Sequence, residues 1–200
     1  MLHDHAHILD PEAFTKVTAF VGVGSTSKVD RKLLSMFPNV KMISIFGVGY
    51  DGIDVAAVQE RGIRVTHTPD VLTDDVADLA LGLMLSMGRR IPQSDKFVRN
   101  GDWVNEPFSM THKVTGTRLG VVGLGRIGQA IAKRAAAFDM SIAYTGRRAK
   151  TNAPYRYYPT ASELAANSDY LVVAVPGGDD TKNMINAQVL KALGPKGIVV

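Results

Sequence analysis

Residues 118–128 read RLGVVGLGRIG, and this stretch decides the fold of the chain. Gly123, Gly125 and Gly128 follow a short apolar run typical of a strand and precede apolar positions with helical spacing. Between a strand and a helix, this G-x-G-x-x-G spacing predicts a site for a dinucleotide pyrophosphate. The first glycine allows a tight turn, the second lets phosphates approach the backbone, and the third lets the helix pack on the strand. A glycine-rich turn without a ligand is the alternative, and the flanking pattern favours the dinucleotide site.

The composition is that of a globular chain without cysteine. Its 200 residues are 46% hydrophobic and 21% charged, enough for one sizeable core or for parts of two domains. No apolar run is long enough to cross a bilayer and no signal peptide is apparent, so we expect a cytoplasmic protein without a membrane partner. Without cysteine, redox chemistry must come from a bound cofactor. The net charge of +4 is spread among acids, so we expect anionic small ligands and no nucleic-acid partner.

Three histidines, His3, His5 and His7, alternate with other residues near the start of the chain. In a strand they would share one face and could hold a metal, whereas in a frayed terminus they would be solvated. We favour the solvated terminus, because no further cluster of ligand residues is apparent, and we predict no metal site.

Residues 1–72 alternate between strand and helix patterns. Apolar runs predict strands over Val17 to Val23, Val40 to Phe46 and Ile63 to Thr66, with helical segments over 28–36 and 54–61 between them. This alternation predicts a small open parallel sheet as the first domain. The loop at 47–52 follows a strand directly, and ligands of such sheets bind beyond the carboxyl ends of the strands.

Residues 73–116 predict a long helix followed by an excursion. Thr73 offers a hydroxyl cap for a helix over 76–90, with two acids near its start and two arginines at its end. The helix is apolar nearly all round, which predicts burial on several sides at an interdomain or subunit interface. A polar helix near 93–99 and a loop to His112 follow, and we interpret this segment as the dimerisation arm of a homodimer.

Residues 117–200 have the pattern of a dinucleotide-binding domain. After the glycine motif and its helix, the chain predicts strands over Ser141 to Thr145, Tyr170 to Val175 and Gly197 to Val200, and helices over Ala161 to Ala166 and Ala187 to Leu193. The predicted fold class is therefore α/β, with two Rossmann-like doubly wound parallel-sheet domains. Because the chain stops inside a predicted strand and begins abruptly, we interpret both ends as incomplete.

Four motifs resemble those of the D-isomer-specific 2-hydroxyacid dehydrogenases, and the resemblance is closest to the glyoxylate and hydroxypyruvate reductase branch. They are FGVGYDGID at 46–54, TPDVLTDDVAD at 68–78, VGLGRIG at 122–128 and VPGGDDT at 175–181. The motifs keep the family's order and span most of the chain. The resemblance implies that residues 1–72 begin a substrate-binding, catalytic domain. It also implies an oxidoreductase that transfers hydride reversibly between C4 of a nicotinamide and the C2 carbonyl of a small 2-oxo acid.

The resemblance also implies roles for individual positions. The backbone of Val48 and Gly49 would hold the substrate carboxylate, which is chemically sensible because N–H groups in a loop nest bind anions. A tight turn made of glycines is the alternative for that loop. Arg126 and Ile127 would line the pyrophosphate, and Thr73 would approach the nicotinamide. The edge of the cofactor cleft would be formed by Val175, Pro176 and Thr181. Thr73 could equally serve as the N-terminal cap of the helix that follows it.

The predicted strand that ends at Thr145 decides the choice of cofactor. An NAD site usually has an acid about twenty residues beyond the glycines, where it binds the ribose 2′-hydroxyl. Here the strand runs into Gly146, Arg147 and Arg148, with no carboxylate. Two guanidinium groups can bind a 2′-phosphate in forked geometry, so Thr145, Arg147 and Arg148 predict NADP(H) in preference to NAD(H), which stays possible. An exposed basic pair without a ligand is the alternative.

No catalytic residue is assigned in this chain. The family's catalytic arginine, glutamate and histidine lie later in its pattern and are expected beyond Val200. His67 and His112 are not convincing general acids. The family often has asparagine where His67 stands, so we expect a polar contact at the hinge. Asp139 lies in a helix-to-strand turn where left-handed backbone geometry is expected.

The leading interpretation is NADPH-dependent reduction of glyoxylate or hydroxypyruvate to the D-2-hydroxy acid. Another D-2-hydroxyacid dehydrogenase, of the phosphoglycerate type or acting on a bulkier oxo acid, stays open. So does a nicotinamide-sensing binding protein of the same fold, and so does a cofactor-binding fragment that does not turn over. The sequence leaves undetermined which 2-oxo acid is used, the physiological direction and the number of subunits.

Overall fold

The computed structural model describes residues 11–23 and 27–200, which divide into two compact units. The first unit contains the described residues up to Leu72 together with Pro176–Asp180, and the second contains Thr73–Val175 and Thr181–Val200. The three histidines considered above as metal ligands lie outside the described residues.

The first unit is built on a three-stranded parallel sheet. Its strands are β1 (Ala19–Val23), β2 (Met42–Phe46) and β3 (Arg64–Thr66), in the order β1-β2-β3. Helix α1 (Pro11–Lys16) precedes β1, and α2 (Arg31–Met36) and α3 (Val55–Glu60) connect the strands. Because all three strands are parallel and in register, their carboxyl ends lie at one edge of the sheet.

The two connecting helices begin at aspartates. The carboxylate of Asp30 accepts a hydrogen bond from the Leu33 N–H, and that of Asp54 accepts one from the Ala57 N–H. These bonds satisfy N–H groups that a helix leaves without an internal partner. The core between sheet and helices is apolar, and its buried members include Phe20, Leu33, Leu34, Phe37, Ile43, Ile45 and Val58.

The second unit is a five-stranded parallel sheet in the order β6-β5-β4-β7-β8. The strands are β4 (Arg118–Val122), β5 (Ser141–Thr145), β6 (Arg156–Tyr157), β7 (Tyr170–Val173) and β8 (Ile198–Val199). The chain winds outward from β4 to β6, then crosses to the other side of β4 for β7 and β8. This is doubly wound topology, and the order of strands reverses between β4 and β7.

Five helices belong to the second unit. They are α4 (Thr73–Arg89), α5 (Ile91–Arg99), α6 (Arg126–Ala136), α7 (Ala161–Ala166) and α8 (Ala187–Leu193), and single 3-10 turns lie at Asp102–Val104 and Asp179–Thr181. Helix α7 begins with a capping box, in which the Thr160 hydroxyl accepts from the Glu163 N–H and the Glu163 carboxylate accepts from the Thr160 N–H. The central strand β4 is buried from Leu119 to Val122, which explains its continuous apolar run.

The predicted α/β fold with two parallel sheets is confirmed. Strand β5 and helices α7 and α8 have the predicted bounds, and Asp139 has the expected left-handed backbone, with φ of 55°. Two elements were not predicted, α1 and β6, and β6 is only two residues long, too short for an alternating pattern. Helix α5 begins at Ile91 rather than after Pro92, since proline is tolerated in the first turn, where its missing N–H is not needed.

Helix α4 is buried on one side, whereas its all-round apolar pattern predicted burial on several. The core-facing residues have the spacing of one helical face and are Ala77, Ala80, Leu81, Met84 and Gly88. Other apolar side chains of the same helix are exposed, at 63% for Leu79, 43% for Leu83 and 49% for Met87. An apolar pattern shows which positions of a helix are apolar, but not which neighbour covers each of them.

Candidate dinucleotide site and carboxylate loop

The glycine motif forms the turn between β4 and α6. Gly123 has φ of 93°, a backbone region that favours glycine. A Cβ at this position would lie 2.6 Å from Val175 Cγ1 and 2.7 Å from the Ala174 carbonyl oxygen, which follow β7. A Cβ at Gly128 would overlap the carbonyl oxygen of Gly123. Two of the three glycines therefore stand where only a hydrogen fits, in agreement with the turn and packing roles expected of them.

Gly125 has different surroundings. It is the N-cap of α6 and has no side-chain cap, and a Cβ added there would meet no protein atom within 4 Å. The hydrogen bonds of the helix begin with the Gln129 N–H, which donates to the Gly125 carbonyl at 2.9 Å. The N–H groups of the first turn, at Arg126, Ile127 and Gly128, thus have no carbonyl inside the helix. Open space in front of such a turn fits a pyrophosphate, which the helix dipole also favours.

Gln129 is a residue of this turn that the sequence did not point out. Its side-chain amide donates to the carbonyl oxygens of Gly125 at 3.1 Å and Leu124 at 3.4 Å. These bonds fix carbonyls on the side of the turn away from the helix N–H groups. An exposed glutamine one turn into a helix has no sequence signal that separates this role from solvation.

Arg134 joins α6 to α4 through two carboxylates. Its Nη2 lies 2.9 Å from Asp74 Oδ1 and its Nε lies 2.5 Å from Asp78 Oδ1. The hydrogen bonds that Arg134 donates to Asp74 and Asp78, followed by the charges of these carboxylates, raise the pKa of Arg134. Thr73, predicted on the nicotinamide side, is the first residue of α4, so the helix begins three residues before its predicted start. The ion pairs place the start of α4 against α6.

The loop after β5 carries the predicted arginines. Thr145 is buried, and its carbonyl oxygen accepts a hydrogen bond from the Gly123 N–H at 2.9 Å. Arg147 and Arg148 follow and are exposed. Two tyrosines anchor the loop, since the Tyr157 hydroxyl donates to the Gly146 carbonyl at 3.2 Å and the Tyr144 hydroxyl accepts from the Lys150 N–H at 2.6 Å. The arginines therefore stand on a loop that is tied down at both ends, beside the glycine turn.

The remaining predicted cofactor residues follow β7. Val175 is half-buried in the second unit, and its Cγ1 approaches Gly123. Pro176 belongs with the first unit, while Thr181 ends the 3-10 turn and returns to the second. The residues of the second unit that converge on the end of β4 are thus the glycines, Thr145 and Val175, at the point where strand order reverses and ligands of such sheets bind.

The loop after β2, in the first unit, contains Val48 and Gly49. The Gly47 N–H donates to Thr68 Oγ1 at 3.0 Å, and the Gly47 carbonyl accepts from the Thr68 N–H at 2.9 Å. His67 Nδ1 lies 3.0 Å from the Val48 carbonyl oxygen, and the His67 ring meets Tyr50 edge to face at 5.4 Å. Among residues 11–23 and 27–200, no protein group accepts a hydrogen bond from the backbone N–H of Val48 or of Gly49. Two adjacent N–H groups without protein partners are suited to binding an anion.

The described part of the chain has neither a cluster of metal ligands nor a helix that could span a membrane. Within it, no group of three or more His, Cys, Asp or Glu side chains could hold a metal ion. None of its helices has both the length and the apolar character needed to span a membrane. The turn at 123–128, the segment 145–150 and the segment 47–52 are called the glycine turn, the arginine loop and, for its proposed ligand, the carboxylate loop.

The family relationship follows from the second unit. The model of the NAD-binding domain of D-isomer specific 2-hydroxyacid dehydrogenases matches residues 81–200, which contain the glycine turn and the arginine loop. The chain belongs to the D-isomer specific 2-hydroxyacid dehydrogenase family. The predicted resemblance to this family is thereby confirmed, and glyoxylate/hydroxypyruvate reductases are among the similar proteins.

Several relatives of the family are similar over nearly the whole chain. The hydroxyphenylpyruvate reductase of Plectranthus scutellarioides is 50% identical over 184 residues, which are 92% of this chain and 58% of that protein. Glyoxylate/hydroxypyruvate reductase A of Arabidopsis thaliana is 49% identical, with the same coverage of 92% and 58%. The crystal structure of an NADPH-dependent glyoxylate/hydroxypyruvate reductase from Sinorhizobium meliloti, in complex with NADP and malonate, is 42% identical with a TM-score of 0.90. It covers 97% of this chain and 60% of that one. The chain thus spans about three fifths of the length of these relatives.

Proposed function

We propose that this chain is part of an enzyme that reduces a small 2-oxo acid to the D-2-hydroxy acid with NADPH. The observation that carries the proposal is the glycine turn. Gly123 and Gly128 leave no room for a side chain, and Gly125 faces open space at the start of α6. Family membership turns this general dinucleotide geometry into a specific reaction class, since glyoxylate/hydroxypyruvate reductases are among the similar proteins.

The choice of NADPH rests on the loop after β5. Residues 145–150 contain three cations and no carboxylate, so an NAD ribose would find no acidic acceptor there and a 2′-phosphate would meet favourable charge. The anchoring of Gly146 by Tyr157 and of Lys150 by Tyr144 limits the freedom that the loop would lose on binding. The Sinorhizobium meliloti reductase, solved with NADP, is a relative with the proposed cofactor.

The substrate carboxylate is assigned to the loop after β2. Within the described part of the chain, the N–H groups of Val48 and Gly49 have no acceptor, and a substrate carboxylate would supply one. Binding by backbone groups fixes the position of the oxo acid without the entropy loss of a long charged side chain.

The nicotinamide supplies the hydride chemistry when it is bound. The residues of this chain bind and orient: Gly125 and the first turn of α6 face the pyrophosphate, Arg147 and Arg148 face the 2′-phosphate, and Val48 and Gly49 face the carboxylate. Thr73, Val175, Pro176 and Thr181 are proposed to border the nicotinamide end. We assign no proton donor among the described residues: His67 Nδ1 bonds to a backbone carbonyl, and the His112 side chain is exposed.

Turnover is best tested in a chimera, because this chain spans only part of its relatives. The part of the Arabidopsis thaliana reductase that lies outside the matched 184 residues would be joined to this chain, and the intact reductase would serve as the positive control. NADPH and NADH oxidation would be followed with glyoxylate and hydroxypyruvate. We expect turnover that favours NADPH. A folded chimera that binds NADPH but reduces neither acid would contradict the proposed reaction.

A bulkier 2-oxo acid is the second candidate substrate. It is favoured by one observation, the 50% identity to a hydroxyphenylpyruvate reductase. The same chimera decides between the two substrate classes, provided that glyoxylate, hydroxypyruvate and hydroxyphenylpyruvate are compared at equal NADPH. A higher kcat/KM for hydroxyphenylpyruvate would assign the larger substrate, while the cofactor proposal would be unaffected.

We also propose that the protein is a homodimer, joined through the segment 73–116. The support is the exposed apolar surface of α4, in which Val76, Leu79, Leu83 and Met87 are spaced along one helical face. Trp103, exposed at 61%, follows in the same segment. Contiguous exposed apolar patches often mark surfaces that bind another protein.

We further propose a cytoplasmic location, which cell fractionation would test.

A further inference from the structure

Two consecutive residues, His67 and Thr68, hold two consecutive carbonyl oxygens of the carboxylate loop. The Thr68 N–H donates to the Gly47 carbonyl at 2.9 Å, and His67 Nδ1 lies 3.0 Å from the Val48 carbonyl. This pairing arises from the sheet, because β2 and β3 are parallel neighbours and both residues follow β3 as the loop follows β2. A carbonyl oxygen only accepts, so His67 Nδ1 must carry the hydrogen.

The hydrogen bonds to the Gly47 and Val48 carbonyls determine the directions of the Val48 and Gly49 N–H groups, which are proposed to bind the carboxylate. A peptide is planar, and in the trans form its C=O and N–H point in opposite directions. The described chain has no cis peptide, so the Gly47 carbonyl orients the Val48 N–H and the Val48 carbonyl orients the Gly49 N–H. Both carbonyls point toward residues 67 and 68. Both N–H groups therefore point away from them, to the same side of the loop.

We propose that His67 is a positioning residue for the substrate carboxylate, because its Nδ1–H fixes the Val48–Gly49 peptide plane. The inference rests on the proposed function, which assigns the carboxylate to this loop. His67 does not touch the substrate in this account and moves no proton. Its contribution is that the Gly49 N–H is already aimed before binding, so less free energy is lost in ordering the loop.

Leucine and asparagine provide a matched pair of variants. Both branch at Cγ, and asparagine places its amide nitrogen as many bonds from the backbone as Nδ1 of histidine. Both remove the ring contact with Tyr50, but only asparagine can donate to the Val48 carbonyl. His67→Asn should therefore preserve the orientation that His67→Leu abolishes. Ser35→Ala, in α2, is the control, since it removes a hydroxyl bonded to a backbone carbonyl, that of Lys32, elsewhere in the first unit.

The test uses amide NMR spectra of the 15N-labelled 200-residue chain, titrated with glycolate as a 2-hydroxy acid with one carboxylate. In the wild type, the Val48 and Gly49 signals should move. The dissociation constant for glycolate should rise on the order of fivefold in His67→Leu and stay within about twofold in His67→Asn and Ser35→Ala. The NADPH dissociation constant should be the same in all four proteins, and unchanged β2 signals would show that the first unit is folded.

Different failures have different meanings. If glycolate moves neither signal in the wild type, the carboxylate part of the proposed function is wrong and this inference falls with it. If the wild type binds and His67→Leu binds equally well, only the positioning role of His67 is wrong. Equal weakening in the leucine and asparagine variants would assign the effect to the ring and overturn the role of the hydrogen bond. Should His67→Leu unfold, the ring 15N spectrum of the wild type decides, because a neutral His67 with its hydrogen on Nε2 contradicts the proposal.

Discussion

The backbone N–H of Gly123 donates a 2.9 Å hydrogen bond to the carbonyl oxygen of Thr145. Gly123 begins the turn proposed for the pyrophosphate, and Thr145 begins the loop proposed for the 2′-phosphate. The two proposed phosphate-binding segments therefore start from residues that are hydrogen-bonded to each other, at the carboxyl ends of the neighbouring parallel strands β4 and β5. Because the strands fix this spacing, the cofactor proposal can be tested at each segment separately.

Removing the arginines should weaken NADPH binding and leave NADH binding nearly unchanged. Hydrogen bonds to charged groups contribute enough that Arg147→Ala with Arg148→Ala should raise the NADPH dissociation constant about 10- to 100-fold. NADH lacks the 2′-phosphate, so its dissociation constant should change by less than about twofold. Nicotinamide fluorescence titrations measure both.

The matched control removes two cations elsewhere in the second unit. Lys133 and Lys191 lie in the last turns of α6 and α8 and are exposed, so Lys133→Ala with Lys191→Ala changes the net charge equally. NADPH affinity should stay near that of the wild type. An equal loss in both double variants would assign the effect to net charge, and an unchanged NADPH affinity in the arginine variant would refute the 2′-phosphate role.

Gly128→Ala should destabilise the second unit. The added methyl group would overlap the Gly123 carbonyl and would lie 3.1 Å from Val121 Cγ1, so the helix must move away from the strand. Overpacking of this kind costs about 1–3 kcal/mol of unfolding free energy, and the shifted turn should also weaken NADPH binding. Urea unfolding and NADPH titration provide the two measurements.

Gly82→Ala is the control for the glycine prediction. Gly82 lies inside α4, is exposed, and has no atom within 4 Å of an added Cβ. Alanine is favoured over glycine in a helix, so this variant should gain about 0.5–1 kcal/mol of stability. If Gly128→Ala were as stable as Gly82→Ala, the close approach of α6 to the glycine turn would be wrong.

The ion pair between β4 and β7 should give the second unit a stability that depends on acid pH. Asp169 Oδ1 lies 2.7 Å from Arg118 Nη2, and Asp169 Oδ2 accepts from the Arg118 backbone N–H at 2.8 Å. Hydrogen bonds from the Arg118 side chain are the main reason that the pKa of Asp169 is lowered. A lowered pKa contributes stability that is fully present above the unfolded value, about 4, and is lost as pH falls through the folded value.

Asp169→Asn measures that contribution. With 53% of the Arg118 side chain and 40% of the Asp169 side chain exposed, solvent screens the pair, so the loss near neutral pH should be no more than about 1 kcal/mol. Urea unfolding of wild type and variant should give curves that converge as pH falls below about 4. A difference that stays constant down to this range would mean that the charge of Asp169 does not stabilise the fold.

Charges on the exposed face of α4 should separate the proposed dimer. Leu79→Glu with Leu83→Glu places two carboxylates on this surface, where burial against a second copy would be strongly unfavourable. Light scattering should report a dimer for the wild type and a monomer for this variant. Leu190→Glu, on α8 and 48% exposed, is the control and should stay dimeric. A wild-type chain that is monomeric at micromolar concentration would contradict the interface.

The sequence predicted the structure best at positions where a single physical requirement, such as close approach or burial on both faces, restricts the residue type. Gly123, Gly125 and Gly128 predicted the strand, turn and helix together, because close approach and a turn with positive φ admit few other residues. The core strands were visible for a similar reason, since β4 is buried on both faces and therefore continuously apolar.

Contacts that depend on partners distant in sequence were not predictable. The roles of Gln129, Tyr144 and Tyr157 arise from carbonyl and amide groups that only the fold brings near them. His67 was expected to make a polar contact, but its partner, the Val48 carbonyl, follows from the pairing of β2 with β3. The one-sided burial of α4 was missed because an apolar helix pattern does not say which neighbour covers each face.

The most direct test of the account is the ratio of NADH to NADPH dissociation constants for this 200-residue chain, measured by nicotinamide fluorescence. The glycine turn and the arginine loop together predict that NADPH binds at least about tenfold more tightly. Equal affinities, tighter binding of NADH, or no binding of either cofactor would contradict the central claim that these two segments form an NADPH site.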